Sequence, residues 1–205
     1  MTKRSRLLLV ILSSLAGLIF VVLVTAVIVL QTSWFQNFVR EKIVAATEDA
    51  TGGKVEIGSF SFDWTTMHVV IRNFIIHGTE PAGPAPLLQV DALDLDLKLL
   101  SGYKHLVDLR YLGITRPAAN IIVFPNGKTN IPQPKAVQKS SNTSGLQTIV
   151  DLQVKRFVLE NGTIQFAQQS IPLSVQGQNL LVRLSYDARS PAYDGKLTLD
   201  PIYAK

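Results

Sequence analysis

The spacing of polar and apolar positions changes twice along this chain and divides it into three parts. From Leu7 to Leu30 every residue is Leu, Ile, Val, Phe or Ala apart from Ser13, Ser14, Gly17 and Thr25, and no charge interrupts the run. As a helix this run is about 36 Å long, against a hydrocarbon core of about 30 Å, which predicts a transmembrane helix. From Ser33 onward Phe35, Phe38, Val39, Ile43 and Ala46 recur at helical spacing among Gln36, Asn37, Arg40, Glu41, Glu48 and Asp49, predicting a short amphipathic helix. Ser33-Trp34-Phe35-Gln36 reads as its capping box and Gly52-Gly53 as its stop.

Beyond Lys54 the period becomes two. Val55, Ile57, Phe60, Phe62 and Trp64 share one face if Gly58 and Ser59 form a bulge, and Met67 to His77 reads as a second strand, apolar on both faces. After a Pro-rich loop from Thr79 to Pro86 comes the clearest alternation, with Leu93, Leu95, Leu97 and Leu99 on one side and Asp94, Asp96 and Lys98 on the other. Such a strand has one buried and one wet face. His105 to Thr115 and Ala118 to Phe124 follow, separated by Pro117 and ended by the turn Pro125-Asn126-Gly127. Pro132 to Thr148, rich in Ser, Gln, Lys, Asn and Pro, reads as a linker or long loop. Strand patterning resumes over Ile149–Leu159, Thr163–Gln168, Leu173–Tyr186 and Tyr193–Leu199, giving about nine strands and an all-β portion after the lead-in helix. A weak internal repeat, Asp108-Leu109-Arg110-Tyr111 with Ile114 and Ile121 to Phe124 against Asp151-Leu152-Gln153-Val154 with Phe157 and Ile164 to Phe166, suits a sheet that grows by repeated hairpins.

The flanking charges orient the chain. Lys3, Arg4 and Arg6 precede the apolar run and no acidic residue occurs before Glu41. Basic residues before a first span hold that end in the cytoplasm, so the remainder lies on the far side. Trp34 and Phe35 then fall at headgroup depth, where aromatic rings are favoured. A cleaved signal peptide has the same basic start but a shorter apolar middle, and the one cleavage-like triplet, Val24-Thr25-Ala26, sits inside the run. Ser13 and Gly17 form a small-xxx-small pair of the kind at which helices approach closely, although such pairs are common by chance.

Composition narrows the function. The net charge of +5 includes three cations ahead of the apolar run, leaving 17 basic against 15 acidic residues beyond Leu30, a balance of +2. That excludes a nucleic-acid face built on clustered Lys and Arg. With no cysteine, thiolate zinc sites and disulfides are excluded, and the exported part relies on its apolar core.

Local patterns that suggest enzymes are incomplete. Gly127-Lys128-Thr129 ends like a phosphate loop, but Ile122 stands where its first glycine belongs. Ser101-Gly102-Tyr103-Lys104 fits S-x-x-K without its companion motifs. His68, His77 and His105 lack paired metal-ligand spacing, and Asp91, Asp94 and Asp96 lack the glycine and glutamate of a calcium loop. Asn142-Thr143-Ser144 and Asn161-Gly162-Thr163 match glycosylation sequons, which matter only in a eukaryotic host. No catalytic group, metal or cofactor is expected.

A basic start, one span, a helix ending in Ala50-Thr51-Gly52-Gly53-Lys54-Val55-Glu56-Ile57-Gly58, and then Phe60-Ser61-Phe62-Asp63-Trp64 together resemble the amino-terminal region of AsmA-like proteins, the family that includes the translocation and assembly module TamB. Val90-Asp91-Ala92-Leu93-Asp94-Leu95, Ile114-Thr115-Arg116-Pro117 and Asn126-Gly127-Lys128-Thr129-Asn130-Ile131-Pro132 follow in that family's order. The resemblance covers most of residues 1–132. It implies an inner-membrane-anchored protein of a diderm bacterial envelope, mainly β, whose elongated antiparallel sheet curves into a trough. Phospholipid acyl chains would lie against its apolar inside on the way to the outer membrane.

On this reading residues 1–6 are a cytoplasmic basic tail, 7–30 a signal-anchor helix, 31–52 a juxtamembrane helix, 53–132 a periplasmic β-domain, 133–148 a linker or long loop and 149–205 a continuation of the sheet. Leu7, Phe20, Leu30, Trp34 and Phe35 serve the anchor. Phe60, Phe62, Trp64, Val69, Ile71, Leu93, Leu95, Leu97 and Leu99 are the candidate groove residues. The implied partners are phospholipid, the inner membrane and an outer-membrane assembly protein, with no nucleic acid. Nine strands extend only about 40 Å, whereas family members that bridge the periplasm are several times longer. Alternation serves a closed sandwich core equally well, and an anchored scaffold that docks a protein without carrying lipid fits the same pattern.

Overall fold

The computed structural model describes residues 3–30, 32–81, 83–98, 108–134, 154–187 and 192–205. Among the described residues the protein is mainly β with two helices, and it forms two compact units, Met1–Val39 and Arg40–Lys205.

In the first unit α1 (Lys3–Leu30) takes in the whole apolar run together with Lys3, Arg4 and Arg6. Phe20 is exposed on it, and the side chains of Leu7 and Leu30 lie outside the described residues. Among the described residues, no helix is long and apolar enough to cross a membrane. Helix α2 (Ser33–Thr51) begins one residue earlier than a Ser33 cap would have it. The Phe35 amide donates to the Thr32 hydroxyl at 3.3 Å, so Thr32 is the cap and Ser33 the first helical residue. The aromatic rings of Trp34 and Phe38 stack at 5.9 Å, and both are exposed.

In the second unit α2 ends as its sequence dictates, with Gly52 in the left-handed region at φ 76°. Its half-buried positions here are Arg40, Ile43, Val44, Thr47, Glu48 and Thr51, so Val44 rather than Ala46 belongs to the covered stripe. The Glu48 carboxylate accepts the Val55 amide at 3.0 Å and ties the helix end to the first strand.

The strands are β1 (Lys54–Asp63), β2 (His68–His77), β3 (Leu88–Lys98), β4 (Asp108–Thr115), β5 (Ala118–Val123), β6 (Arg156–Gln168), β7 (Leu173–Asp187), β8 (Ala192–Thr198) and β9 (Ile202–Ala204). All nine belong to one sheet, ordered β1-β2-β3-β4-β6-β7-β8, with β5 collinear with β4 and β9 collinear with β8. A sandwich needs two facing sheets, and among the described residues there is one. The sheet is mixed rather than antiparallel, because β6 runs parallel to β4 and β5. Parallel neighbours need a long crossover, and residues 124–155 provide it. Of the linker expected at 133–148, all but residues 133 and 134 lies outside the described residues.

The expected break between Leu159 and Thr163 is absent, and β6 is continuous. Asn161 takes φ 56° inside the strand, so the chain is displaced locally without leaving the ladder. The bulge expected at Gly58-Ser59 also differs, since the β1–β2 register runs unbroken on either side. Gly58 instead faces Asn73, which has φ 52°, and burial switches from Val55 and Ile57 to Phe60 on one strand and from Val69 and Ile71 to Phe74 and Ile76 on the other. Alternation restarts one position out of step, and the apolar set stays on one side.

This reversal recurs at the same level across the sheet. Asn73 lies beside Asp91, Asp91 beside Arg116 (φ 47°), Arg116 beside Asn161, and beyond them Asn179 (φ 51°) donates through Nδ2 to the Asp200 carbonyl at 3.0 Å. The Arg116 guanidinium also bonds the Asp91 carboxylate. Pro117, which has no amide to give a ladder, is tolerated in an interior strand because it falls on this line between β4 and β5.

A β-branched residue cannot take a left-handed conformation cheaply. Asn73→Val is therefore expected to cost about 1–2 kcal/mol or more. Asn73→Gly is expected to stay within about 1 kcal/mol of the parent. Urea unfolding of the full chain followed by circular dichroism compares them, and equal losses would remove the left-handed requirement at this position.

Candidate functional site

Cross-strand partners project from the same side of a sheet, so the registers assemble its faces row by row. On one side of the reversal Phe62, Val69, Leu95, Leu112, Phe157 and Leu184 form one row, and Phe60, Ile71, Leu93, Ile114, Leu159, Val182 and Leu197 the next. At the reversal come Ile57, Phe74, Val90, Pro117, Gly162 and Leu180. Beyond it lie Val55, Ile76, Leu88, Ala119, Ile164, Gly177 and Ile202, and then Ile121, Phe166, Val175 and Ala204. None of these residues is charged or carries a polar side chain. Seven strand positions at about 4.8 Å spacing make this surface about 29 Å wide.

Gly162 sits in the middle row because the space is full. A Cβ there would stand 3.0–3.1 Å from Leu159, Leu180 and Pro117.

The opposite face carries the charges. Lys54 Nζ lies 2.9 Å from Glu56, His68 Nδ1 lies 2.6 Å from Asp96 with Asp94 at 3.7 Å from Nε2, and Arg183 reaches Glu160 at 3.3 Å. The hydrogen bond and charge of Lys54 hold the Glu56 carboxyl below the usual carboxylate range, and Glu56 raises Lys54 in return. Both are solvent-exposed, so the pair serves solubility more than stability.

Of the groove residues expected from sequence, the structure brings Phe60, Phe62, Val69, Ile71, Leu93, Leu95 and Leu97 together on the apolar face, Leu97 opposite Leu109. Trp64 does not join them. It lies in the turn after β1 and is 38% exposed. That turn is held by Asp63, whose carboxylate accepts the Thr65 hydroxyl at 2.6 Å and amide at 2.8 Å and is kept below its usual range by those bonds. Leu99 lies outside the described residues. Sequence reasoning missed the contribution of β4 to β9, among them Leu112, Phe157, Leu159, Phe166, Val182 and Leu184. The Asn-Gly pair at 161–162 marks where the face of β6 changes.

The incomplete motifs resolve as turns and solvent face. Gly127 (φ 77°) turns a loop in which the Phe124 amide donates to Lys128 O at 2.8 Å, and among the described residues strand β5 before it leads into no helix. His68, Asp94 and Asp96 lie on the charged face, and among the described residues no group of three or more His, Cys, Asp or Glu side chains is placed to hold a metal. Ser101 to Lys104 and His105 lie outside the described residues.

A hollow of about 660 Å³ lies against this loop, lined by Thr79, Phe124, Asn126, Gly127, Lys128, Thr129, Ile131, Pro132 and Gln133. Lys128 is its one charged group, beside the polar side chains of Thr79, Asn126, Thr129 and Gln133. The loop is held by Asn130, which is fully buried. Its Oδ1 accepts the Ile122 amide at 2.9 Å, its Nδ2 donates to Asn120 O at 2.8 Å, and its carbonyl accepts the Thr79 amide at 2.9 Å.

No family model and no curated protein matches the chain.

Removing the Asn130 side chain takes away the partner of the half-buried Ile122 amide and Asn120 carbonyl, so Asn130→Ala is expected to cost about 1–3 kcal/mol. Hydrogen exchange of the Ile122 amide checks the cause: it should accelerate markedly, and unchanged protection would show that the side chain is not what holds the loop.

Proposed function

We propose that this chain is an anchored lipid carrier of the AsmA-like kind. In this reading α1 crosses the inner membrane of a diderm envelope, and the periplasmic sheet holds phospholipid acyl chains against its apolar face. One observation carries it: an uncharged surface crosses every strand position of a single sheet, buried at β1 and β2 and increasingly exposed toward β8 and β9. Apolar surfaces of this extent mark sites for lipid or protein. Each acyl CH₂ kept from water is worth about 0.8 kcal/mol, and sliding along such a face needs no catalytic group.

The anchor is supported by the 24 consecutive uncharged residues from Leu7 to Leu30 and by Lys3, Arg4 and Arg6 ahead of them. The chain has no cysteine, which makes topology measurable. In intact spheroplasts Ser61→Cys is expected to react with a membrane-impermeant maleimide while Ser5→Cys does not. Labelling at both positions, or at Ser5→Cys alone, would overturn the orientation.

The lipid reading is tested in cells by a photoreactive phenylalanine placed at Leu95 or Leu112 on the apolar face, with Asp94 and Gln165 on the charged face as controls. Illumination followed by mass spectrometry should give phospholipid adducts at 95 and 112 and none at 94 and 165, and Leu95→Lys should abolish the adduct at 112. Protein adducts at 95 and 112 without lipid would replace the carrier with a docking scaffold.

A further inference from the structure

We propose that the β8 edge of the sheet is a self-docking edge, where a second copy of this chain pairs antiparallel about Gly195 so that each copy's Asp194 faces the other's Lys196. This goes beyond the lipid-carrying reading and does not depend on it.

The two edges of the sheet differ. At β1 the Val55 amide is taken by Glu48 of α2, and Val55 and Ile57 are 4% and 9% exposed. At β8 no strand pairs on the outer side among the described residues, residues 194–197 are all exposed, and Leu197 is 66% exposed. An open strand edge presents amide and carbonyl groups ready to pair with another strand.

The charges of β8 lack counterparts within their own sheet. Across β7, Lys196 lies opposite Arg183, which bonds Glu160 at 3.3 Å, and Asp194 lies opposite Ser185. Like charges directly opposite one another destabilise a strand pair. No described ion pair includes Asp194 or Lys196.

The order of residues on β8 supplies the missing partners from a second copy. Antiparallel pairing with Gly195 opposite Gly195 sets Asp194 against Lys196 twice, on the charged face, and Tyr193 against Leu197 twice, on the apolar face. A slip of one residue in either strand would put apolar residues opposite charged faces, and a slip of two sets Asp194 against Asp194 or Lys196 against Lys196. One register is therefore selected, and it is the self-complementary arrangement a twofold interface requires. Charged residues on an edge commonly block strand addition. Here opposite signs placed symmetrically about a glycine reject other strands and accept their own copy. The joined sheets carry one apolar face from the first copy's β1 to the second's.

The test is the oligomeric state of the full chain in detergent, by native mass spectrometry across a dilution series. The parent is expected to dimerise. Asp194→Lys and Lys196→Asp should each weaken the dimer at least tenfold, with unchanged circular dichroism. The doubly reversed chain should recover it, and mixing the two single variants should give a heterodimer, because an edge with lysine at both positions then meets an edge with aspartate at both. A monomeric parent, single reversals that leave the dimer intact, or a failure of both rescues would overturn the proposal. A dimer held through α1 would survive every reversal and count against it.

Discussion

The constraint on which this sheet depends is that its strands change face together. Alternation commits each strand to one side, and a residue in the left-handed region resets that commitment. If Asn73 reversed β2 while β3 did not, Phe74 and Ile76 would stay with the apolar set and Val90 would turn to solvent. Gly58, Asn73, Asp91, Arg116 and Asn161 are aligned by register, and Asn179 adjoins Leu180, the partner of Gly162, so the reversal is a property of the sheet. Left-handed φ falls on Asn73, Asn161 and Asn179 of this line, and Asn bears that conformation at less cost than most residues. Arg116 is the exception, and its guanidinium is bonded to the Asp91 carboxylate of the adjacent strand.

The apolar face of a single sheet is not buried evenly along its width. Burial accordingly falls across the sheet. Val55, Phe60, Ile71, Phe74 and Val90 are buried, Leu159 and Val182 are half-buried, and Leu197 and Ile202 are exposed. The carrier reading and the self-docking edge both begin from that gradient, but they draw on different parts of it. One concerns the face and the other the last strand's rim.

The sequence made the elements legible where a single period persists. Leu93 to Leu97 announced both the strand and its apolar side, and Gly52 announced the end of α2. Where the period resets, the pattern was misread. The Asn161-Gly162 step looked like a loop because turns and strand reversals use the same residues, and Trp64 looked like the next alternating position although Asp63 had already closed a turn. The parallel direction of β6 was hidden because strand direction depends on where a connection returns, which composition does not record. Seven of the nine expected groove residues meet on one face. The rest of that face, from β4 to β9, could be recognised only once register joined segments far apart in the chain.

The parallel seam between β4–β5 and β6 also orders how this sheet is assembled. Strands β1 to β4 are each beside the previous one in sequence, as are β6 to β8, so both groups form through short-range closures. The seam must wait for a connection of about thirty residues, which costs more chain entropy to close than a tight hairpin. Until it closes, two half-sheets exist with their inner rims bare, and the nascent chain exposes two sticky margins in place of a finished surface. On loop-closure grounds that junction is where unpaired strand rims stay exposed longest.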